Sequence, residues 1–325
     1  MSRLMSFVLL ITGLAPFAVV NIAPVEAQDA YPSRAIRLVV GFGAGGPTDI
    51  PARFIAEKLG PLLGQRVLVE NKPGAAGQIA ARDVLSQPRD GYNLLLCTHF
   101  ESINTALYRK VPFKLGDIAP ITQISRYYYG LTLANSLPPT TLEEFFAYAK
   151  ERPSEVHYAS VGAGSAQEIF ALQLAKRAGI KLNKVAFKDG STAMRELLAG
   201  RVHFFISPTL SVLPHYEAGK LKILAVTSPE RLPAASKVPT LKERGIDFVA
   251  FGWLGICAGA GTPEPIIALL NRHIVSIVKS PEYRGLIEKA GSIPVSSTPE
   301  ELGKILTDTH EQVATTIQEF GLQIE

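Results

Sequence analysis

A glycine-rich stretch, residues 41–49, has the residue types of an anion-binding site. It follows the apolar run Ile36–Val40, which predicts a buried strand, and it precedes a segment whose apolar residues recur at helical spacing. Thr48 or Asp49 suits the N-cap of that helix. A turn of this kind brings backbone N–H groups and the positive end of a helix dipole to one point. The sequence therefore predicts that an anion binds here.

Two kinds of anion fit this pattern. Gly41, Gly43 and Gly46 have the spacing of the dinucleotide-binding fingerprint, and Glu70 follows at the end of the next apolar run. A nicotinamide dinucleotide is therefore one candidate. A small free carboxylate is the other, because it needs the same N–H groups and no ribose contact.

The N-terminus favours the carboxylate. Residues 1–27 combine a positive start, an apolar run and a small-residue cleavage site, which is typical of a secretory signal peptide. A membrane anchor is the alternative, but the run is short and Pro16 interrupts it. Exported proteins meet little nicotinamide cofactor, so we expect no cofactor and a periplasmic location.

Composition and charge are those of an ordinary globular protein. Of 325 residues, 47% are hydrophobic and 19% are charged, and the net charge of +4 is spread along the chain. Because no basic cluster stands out, we expect no nucleic-acid partner. We also expect a soluble mature protein, because no cysteine near the predicted cleavage site could carry a lipid anchor, and we expect it to be a monomer. Cys97 and Cys257 each lie in an apolar run. They could form a disulfide in an oxidising compartment or remain two buried thiols.

A second glycine-rich turn repeats the pattern of the first. The strand-like run 156–161 leads into Gly162 and Gly164, and Ser165 is placed to cap the helix that follows. Taken alone, this segment could be an ordinary tight turn between a strand and a helix. Together, the two turns predict two lobes that close on one ligand.

Repeated strand–helix units predict an α/β fold whose mainly parallel sheets are covered by helices. Ligands of such sheets bind beyond the carboxyl ends of the strands. Thr98, His99, Phe187 and Ser207 occupy these positions. His99 could line a pocket or be structural. We expect no metal site, because no second ligand accompanies His99 at the required spacing.

Tyr127 and Tyr129 must share one face of a predicted strand, because side chains alternate along it. They could pack between the lobes or form aromatic walls of the pocket. The sequence leaves both interpretations open.

From about Tyr31 to its end, the chain resembles substrate-binding proteins of the tripartite tricarboxylate transporter family, the Bug-type receptors. Many short motifs carry this resemblance and occur in the same order as in the family. They are 42–49 with 52–53, 69–75, 90–92, 103–108, 158–165, 224–228 with Arg231, 239–245, 253–255 and 260–263.

The resemblance implies a two-lobed periplasmic binding protein of the type II-like class with its ligand in the cleft between the lobes. Lobe 1 would comprise residues 28–125 plus 254–325, and lobe 2 residues 126–253. The function implied is to bind a small organic mono- or dicarboxylate and deliver it to a membrane permease. The ligand-binding residues we expect are Phe42, Gly46, Thr48, Asp49, Thr98, His99, Gly162, Ser165, Gln167, Phe187 and Ser207.

Within this set we expect Asp49 to act through its backbone, because its charge would repel a carboxylate. The chain also departs from the family pattern at Glu168, where a histidine is usual, and at Phe187, where a tyrosine is usual. His203 replaces an aspartate. Because Phe187 lacks a phenol, this residue together with His99, Phe100 and the tyrosines favours a less polar or aromatic ligand.

Two other classes of function fit the sequence less well. A sensing module would bind the same ligand and signal through a membrane protein, which the sequence cannot distinguish from transport. A secreted hydrolase would need a nucleophile elbow, a Ser–His–Asp set or a metal cluster, and we find none of these patterns. We therefore expect no catalytic residues.

Overall fold

The computed structural model describes residues 31–161, 165–187 and 189–320, so the predicted signal peptide lies outside the described residues. Strands and helices alternate along most of the chain. The elements of the first half are β1 (Ile36–Val40), α1 (Asp49–Leu63), β2 (Val67–Asn71), α2 (Gln78–Leu85), β3 (Asn93–Thr98), α3 (His99–Leu107), β4 (Ile118–Ala134), α4 (Leu142–Glu151) and β5 (His157–Ser160). Those of the second half are α5 (Ala166–Ala178), β6 (Asn183–Ala186), α6 (Gly190–Leu198), β7 (Phe204–Pro208), α7 (Thr209–Glu217), β8 (Leu221–Val226), β9 (Phe251–Gly259), α8 (Glu264–Val278), α9 (Pro281–Lys289), β10 (Ile293–Pro294) and α10 (Pro299–Phe320).

The first lobe is built around a sheet with a parallel and an antiparallel part. β1 lies between β2 and β3 and is parallel to both. β9 is antiparallel to β3, and the first part of β4 is antiparallel to β9. Ile36, Leu38, Val39 and Val40 are all buried, as expected of a strand covered by helices on both faces. The turns before α1, α2 and α3 therefore meet at one edge of this sheet.

The second lobe repeats this arrangement with later segments of the chain. β5 lies between β6 and β7 and is parallel to both, while the last part of β4 pairs antiparallel with β7 and with β8. The starts of α5, α6 and α7 therefore also lie at one edge, which faces the corresponding edge of the first lobe.

β4 belongs to both sheets. Its pairing with β9 extends to Tyr128, opposite Phe251, and its pairing with β7 begins at Tyr129, opposite Pro208. The strand thus changes partners between two consecutive tyrosines. This is where the chain passes from one lobe to the other.

The C-terminal helix α10 also contacts both lobes. The hydroxyl of Ser102 in α3 donates to the Leu306 carbonyl over 2.8 Å. In α5, the Gln173 amide donates to Thr316. The helix therefore joins α3 of the first lobe to α5 of the second.

A disulfide joins two strands of the first sheet. Cys97 in β3 and Cys257 in β9 are both fully buried, and their sulfur atoms are 2.08 Å apart. The bridge therefore resolves the choice that the sequence left open. Such bonds persist in oxidising compartments. In the part of the chain that the structure describes, no helix has the length and apolarity required to cross a bilayer.

Candidate functional site

In the first glycine-rich turn, Asp49 acts as a structural brace. Its side chain is 1% exposed. Its carboxylate accepts hydrogen bonds from the Gly45 N–H at 2.8 Å, from Arg53 Nε at 2.7 Å and from Asn71 Nδ2 at 2.8 Å. Asn71 Nδ2 also donates to the Phe42 carbonyl at 3.0 Å. These bonds hold both ends of the turn to the end of β2.

The same contacts determine the ionisation of Asp49. Burial alone would raise the pKa of this carboxyl, but the hydrogen bonds from Arg53, Gly45 and Asn71 lower it below its usual value. Asp49 is therefore an anion whose charge is compensated within the protein. We expected it to act through its backbone, yet in this structure its side chain shapes the turn.

Thr48 occupies the N-cap position of α1 without capping it. Its backbone is already helical, with φ −92° and ψ −35°, and its side chain makes no capping hydrogen bond. Its Oγ1 atom is buried and has no hydrogen-bond partner among the described residues. The Gly46 carbonyl accepts from the N–H groups of Asp49 and Ile50, so part of the expected N–H cluster is used inside the turn. The Thr48 hydroxyl remains available to a ligand.

The second turn is closed in a different way. Ser165 is the N-cap of α5, as predicted, and its hydroxyl accepts from the Glu168 N–H at 3.3 Å. Gln167, in the first turn of the same helix, is 9% exposed, and its Oε1 atom has no partner among the described residues. Gly162 lies outside the described residues.

Glu168, the first departure from the family pattern, is buried in the second lobe. Its carboxylate lies 2.7 Å from Lys184 Nζ and accepts from the Ser160 hydroxyl at 3.2 Å. The lysine compensates a negative charge that would otherwise lie in the first turn of α5. An anion at this helix start is therefore not opposed by an unpaired glutamate.

Between the two lobes lies a cavity of about 500 Å³, which we call cavity A. Two of the predicted residues, Phe42 and Ser165, line it from opposite lobes. Its remaining walls include the loop before α2, one face of α3 and the start of α6, with Ala75, Ala76, Phe100, Asn104, Tyr108, Asp189 and Gly190.

The loop in the wall of cavity A has an unusual backbone. Gly74, Ala75, Ala76 and Gly77 all have positive φ, with 46° and 50° at the two alanines. Left-handed conformations cost about 1–2 kcal/mol for each alanine. The Asn104 amide donates to the Ala76 carbonyl at 3.0 Å and helps to hold this shape. Strain of this kind clusters at ligand sites.

The loop also approaches the first glycine-rich turn closely. A Cβ atom at Gly41 would lie 2.8 Å from the Gly77 Cα, so only glycine fits this contact. The conformations of the two loops are thereby linked.

A second cavity between the lobes, cavity B, has a volume of about 530 Å³. Thr48 lines it, together with Tyr127 from the shared strand β4. Its other walls come from α1, α7, β9 and α9, and include Ile50, Leu210, Leu254, Leu286 and Lys289. Tyr127 therefore forms part of a pocket wall, one of the two interpretations that the sequence left open.

His99 lines a third and much smaller cavity, cavity C, of about 40 Å³ between α3, α5 and α10. Its side chain is 3% exposed, and neither ring nitrogen has a hydrogen-bond partner among the described residues. Burial lowers the pKa of His99 to about 4, and the nearby Trp253 backbone, which makes no regular hydrogen bond to the ring, opposes this shift only in part. His99 is therefore neutral at physiological pH.

Two residues away, Glu101 has the opposite shift. Burial raises the pKa of this carboxyl to about 7, although hydrogen bonds from Thr98 oppose the change. The Thr98 N–H donates to Glu101 Oε2 at 2.6 Å, and the Thr98 hydroxyl accepts from the Phe100 N–H. Thr98 and Glu101 thus form a capping box at the start of α3. The predicted site residue Thr98 is therefore occupied with capping.

A row of rings connects cavities A and B. The ring centroids of Phe42 and Phe100 are 5.6 Å apart, those of Phe100 and His99 are 4.5 Å apart, and those of His99 and Tyr127 are 6.0 Å apart. These are distances of favourable aromatic contact. Phe42 and Phe100 line cavity A, and Tyr127 lines cavity B, so this row of rings runs from one cavity to the other.

Phe187 and Ser207, which were also predicted, line none of cavities A, B and C. Phe187 is partly buried and packs on the hydrophobic core of the second lobe. Ser207 is buried in β7, opposite Gly130 of β4. Among the described residues, no cluster of three or more His, Cys, Asp or Glu side chains could hold a metal ion.

Comparison with known proteins identifies the family. The profile of the tripartite tricarboxylate transporter family receptors matches residues 51–322. The chain belongs to this family. The protein BugT of Bordetella pertussis is 32% identical to the receptor, and the alignment covers 100% of this chain and 99% of BugT.

Solved structures agree with this assignment. Rpa4515 of R. palustris, determined with adipate, is 29% identical to the receptor with a TM-score of 0.82, over 90% of this chain and 99% of that one. The periplasmic binding protein BugD is also 29% identical, with a TM-score of 0.79, over 91% and 100% of the two chains. The receptor therefore has the two-lobed α/β fold of periplasmic binding proteins, as its sequence predicted.

Proposed function

We propose that the receptor binds a small organic mono- or dicarboxylate between its lobes and delivers it to the membrane permease of a tripartite tricarboxylate-type transporter. Binding is reversible and involves no chemical turnover. Membership of the receptor family supports the general function. The adipate in the structure of Rpa4515 supports a carboxylate as the ligand.

One observation carries the proposal for this chain. Thr48 Oγ1 is buried at the start of α1 without a hydrogen-bond partner among the described residues. An unpaired buried hydroxyl costs about 1–3 kcal/mol, and a ligand oxygen that accepts from it recovers this energy. The positive end of the α1 dipole favours an anionic oxygen at the same point. Asp49 keeps the turn in this shape before the ligand arrives.

The other predicted residues complete the proposed site. The ligand extends from Thr48, which lines cavity B, into cavity A, where Phe42 and Ser165 contact it, and Gly46 binds through its N–H group. Gly162, Gln167, Thr98, His99, Phe187 and Ser207 remain predictions as ligand contacts. Gln167 Oε1 and the ring nitrogens of His99 have no hydrogen-bond partner among the described residues, which supports these two in particular.

We also propose the lobe limits and the maturation of the chain. Lobe 1 comprises residues 28–125 plus 254–325, and lobe 2 comprises residues 126–253. The change of partners along β4 at Tyr128 and Tyr129 supports a boundary near these limits. Cleavage after Ala27 releases a periplasmic monomer, and the disulfide supports an oxidising compartment.

Thermal unfolding of the processed protein with a panel of acids tests carboxylate binding. The panel contains malate, succinate, adipate, citrate and benzoate, each with its uncharged amide as the matched control. A ligand at a hundredfold its Kd adds about 2.7 kcal/mol of stability, which raises Tm by about 5 °C in a protein of this size. We expect this shift with at least one acid and none with its amide.

Equal shifts with acid and amide would contradict a carboxylate site. Transport needs a separate test, in which cells that carry or lack the receptor are given the radiolabelled acid that binds. Uptake that does not depend on the receptor would contradict delivery to a permease.

A further inference from the structure

The loop before α2 forms part of a second depression on the first lobe, an open groove that we call groove D. Groove D has a volume of about 590 Å³ and lies between α2 and the chain that follows α3. Its walls include Ala75, Ile79, Arg82, Lys110, Val111 and Pro112. Ala75 also lines cavity A. The same loop therefore belongs to the wall of the cavity between the lobes and to the wall of this groove.

The charged side chains that line groove D are both positive. Arg82 and Lys110 are exposed, and among the described residues neither forms an ion pair and no acidic side chain lines the groove. The acid that follows Arg82 in α2, Asp83, pairs instead with Arg37 at 3.0 Å and with Lys72 at 2.9 Å. Groove D therefore carries positive charge that its own walls do not compensate.

Groove D also exposes apolar surface. Ile79 is 43% exposed, and Val111 and Pro112 line the groove from the segment after α3. A Cβ atom at Gly74 would lie 2.6 Å from Ile79 Cδ1, so the isoleucine packs directly on the backbone of the loop. Exposed apolar surface with a polar rim is typical of protein–protein contact sites. A partner that covers Ile79 would contact the side chain that rests on this loop.

The shape and the charge of groove D favour a protein segment over a lipid surface. Membrane surfaces are recognised by clusters of about four to eight Lys and Arg residues, whereas two such residues line this groove. A concave groove is filled by a protruding segment and not by a flat bilayer. Its positive charge fits a segment that carries Asp or Glu side chains.

We propose that groove D is the docking site for an acidic segment of the membrane permease, which also covers Ile79 with an apolar side chain. This proposal rests on the proposed function and names the surface through which the receptor meets its partner. A ligand in cavity A and the permease in groove D then contact the same loop, because Ala75 lines both.

Uptake by spheroplasts that carry the permease and lack their own receptor tests this docking site. They are given purified, processed receptor and whichever radiolabelled acid among malate, succinate, adipate, citrate and benzoate raises its Tm most. The receptor concentration that gives half-maximal uptake measures docking. Arg82→Glu combined with Lys110→Glu should raise this concentration about tenfold, because like charges across an interface oppose association. The Kd of the acid, measured by calorimetry, should stay within about twofold, since neither side chain lines cavity A.

Matched variants separate docking from a general change in charge. Arg272→Glu with Lys279→Glu makes the same change at exposed positions in and just after α8, away from groove D, and should behave like wild type. Arg82→Lys with Lys110→Arg keeps both positive charges and should keep uptake. If charge reversal in groove D impairs acid binding, Arg82→Gln with Lys110→Gln replaces it and is judged by the same two measurements.

Wild-type half-maximal uptake after charge reversal in groove D would overturn the proposal, and so would an equal loss in the α8 variant. In both cases receptor-dependent uptake still stands. If the wild-type receptor sediments with phosphatidylglycerol vesicles and the reversed variant does not, groove D binds lipid, and the docking site is overturned as well. If the wild-type receptor supports no uptake, the proposed function fails together with the docking site.

Discussion

The starts of α1 and α5 use an acidic residue and a hydroxyl in opposite ways. At α1 the acid Asp49 is buried and holds the turn, and the Thr48 hydroxyl makes no hydrogen bond within the described residues. At α5 the Ser165 hydroxyl caps the helix, and the acid Glu168 pairs with Lys184. Asp49 accepts from Gly45, Arg53 and Asn71, and Thr48 Oγ1 has no partner among the described residues. Ser165, by contrast, accepts from the Glu168 N–H. The same strand–glycine–helix pattern is therefore closed by two different sets of side chains.

This difference separates two tasks within one motif. In the first turn a carboxylate holds the loop, so the hydroxyl does not have to stabilise the helix. In the second turn the hydroxyl already has a structural task. We therefore expect the first turn to contribute more binding energy per residue, and the second to contribute more to folding through its cap.

Removal of the brace should have the largest effect. Asp49→Ala leaves the Asn71 amide and the Gly45 N–H without their acceptor, which should lower the free energy of unfolding by about 3 kcal/mol. Urea denaturation measures this change. The control is Ser280→Ala, which removes the cap of α9 and should cost about 1 kcal/mol. Equal losses in the two variants would show that Asp49 is an ordinary cap.

The buried residues His99 and Glu101 at the start of α3 should make the free energy of unfolding depend on pH. Between pH 6.5 and 4 the unfolded state binds a proton at His99 that the folded state does not, so this residue makes stability fall as pH falls. Between pH 7 and 4.5 the folded state holds the extra proton on Glu101, so this residue makes stability rise as pH falls. The two contributions oppose each other in the wild-type protein.

Single variants of His99 and Glu101 should separate the two contributions to the pH dependence of stability. On going from pH 7.5 to 4.5, His99→Gln should gain about 2 kcal/mol relative to wild type, and Glu101→Gln should lose about as much. Urea denaturation at both pH values measures the change. If all three proteins respond alike, the buried pair does not control the acid response.

The smallest effects concern the two hydroxyls. Ser165→Ala removes a cap and should cost about 1 kcal/mol of unfolding free energy. Thr48→Val removes a buried hydroxyl that has no partner among the described residues, so the free energy of unfolding should rise by about 1 kcal/mol while carboxylate affinity falls about tenfold. Denaturation and calorimetry on both variants give the comparison. A large loss of stability in Thr48→Val would mean that its hydroxyl has a partner in the folded protein.

Much of this fold could be predicted because local patterns determine it. The strands at 36–40 and 93–98 and the cap at Ser165 follow from apolar runs and from cap residues next to a helix. Helix α3 was missed, although the capping box formed by Thr98 and Glu101 marks its start. Residues 98–99 were interpreted only as the end of a strand, so the capping box was not used to predict the helix that follows.

The parts that could not be predicted depend on contacts between distant segments. Nothing near Asp49 in the sequence shows that Asn71 will donate to it, or that the Thr48 hydroxyl will have no partner among the described residues. The positive φ of Ala75 and Ala76 is imposed by neighbouring loops and side chains such as Asn104. The division of the predicted residues among three cavities depends on how the lobes meet.

The order of the strands along the chain has a consequence for the timing of assembly. The second lobe takes its strands from one continuous stretch, from the end of β4 to β8, so it can complete its sheet without later residues. The first lobe needs β9, and Cys97 must wait for a partner 160 residues further along. The first lobe contains the start of the described chain, yet its sheet is completed after that of the second lobe, because β9 emerges later. The bridge that then closes so long a loop stabilises the finished lobe by about 5 kcal/mol.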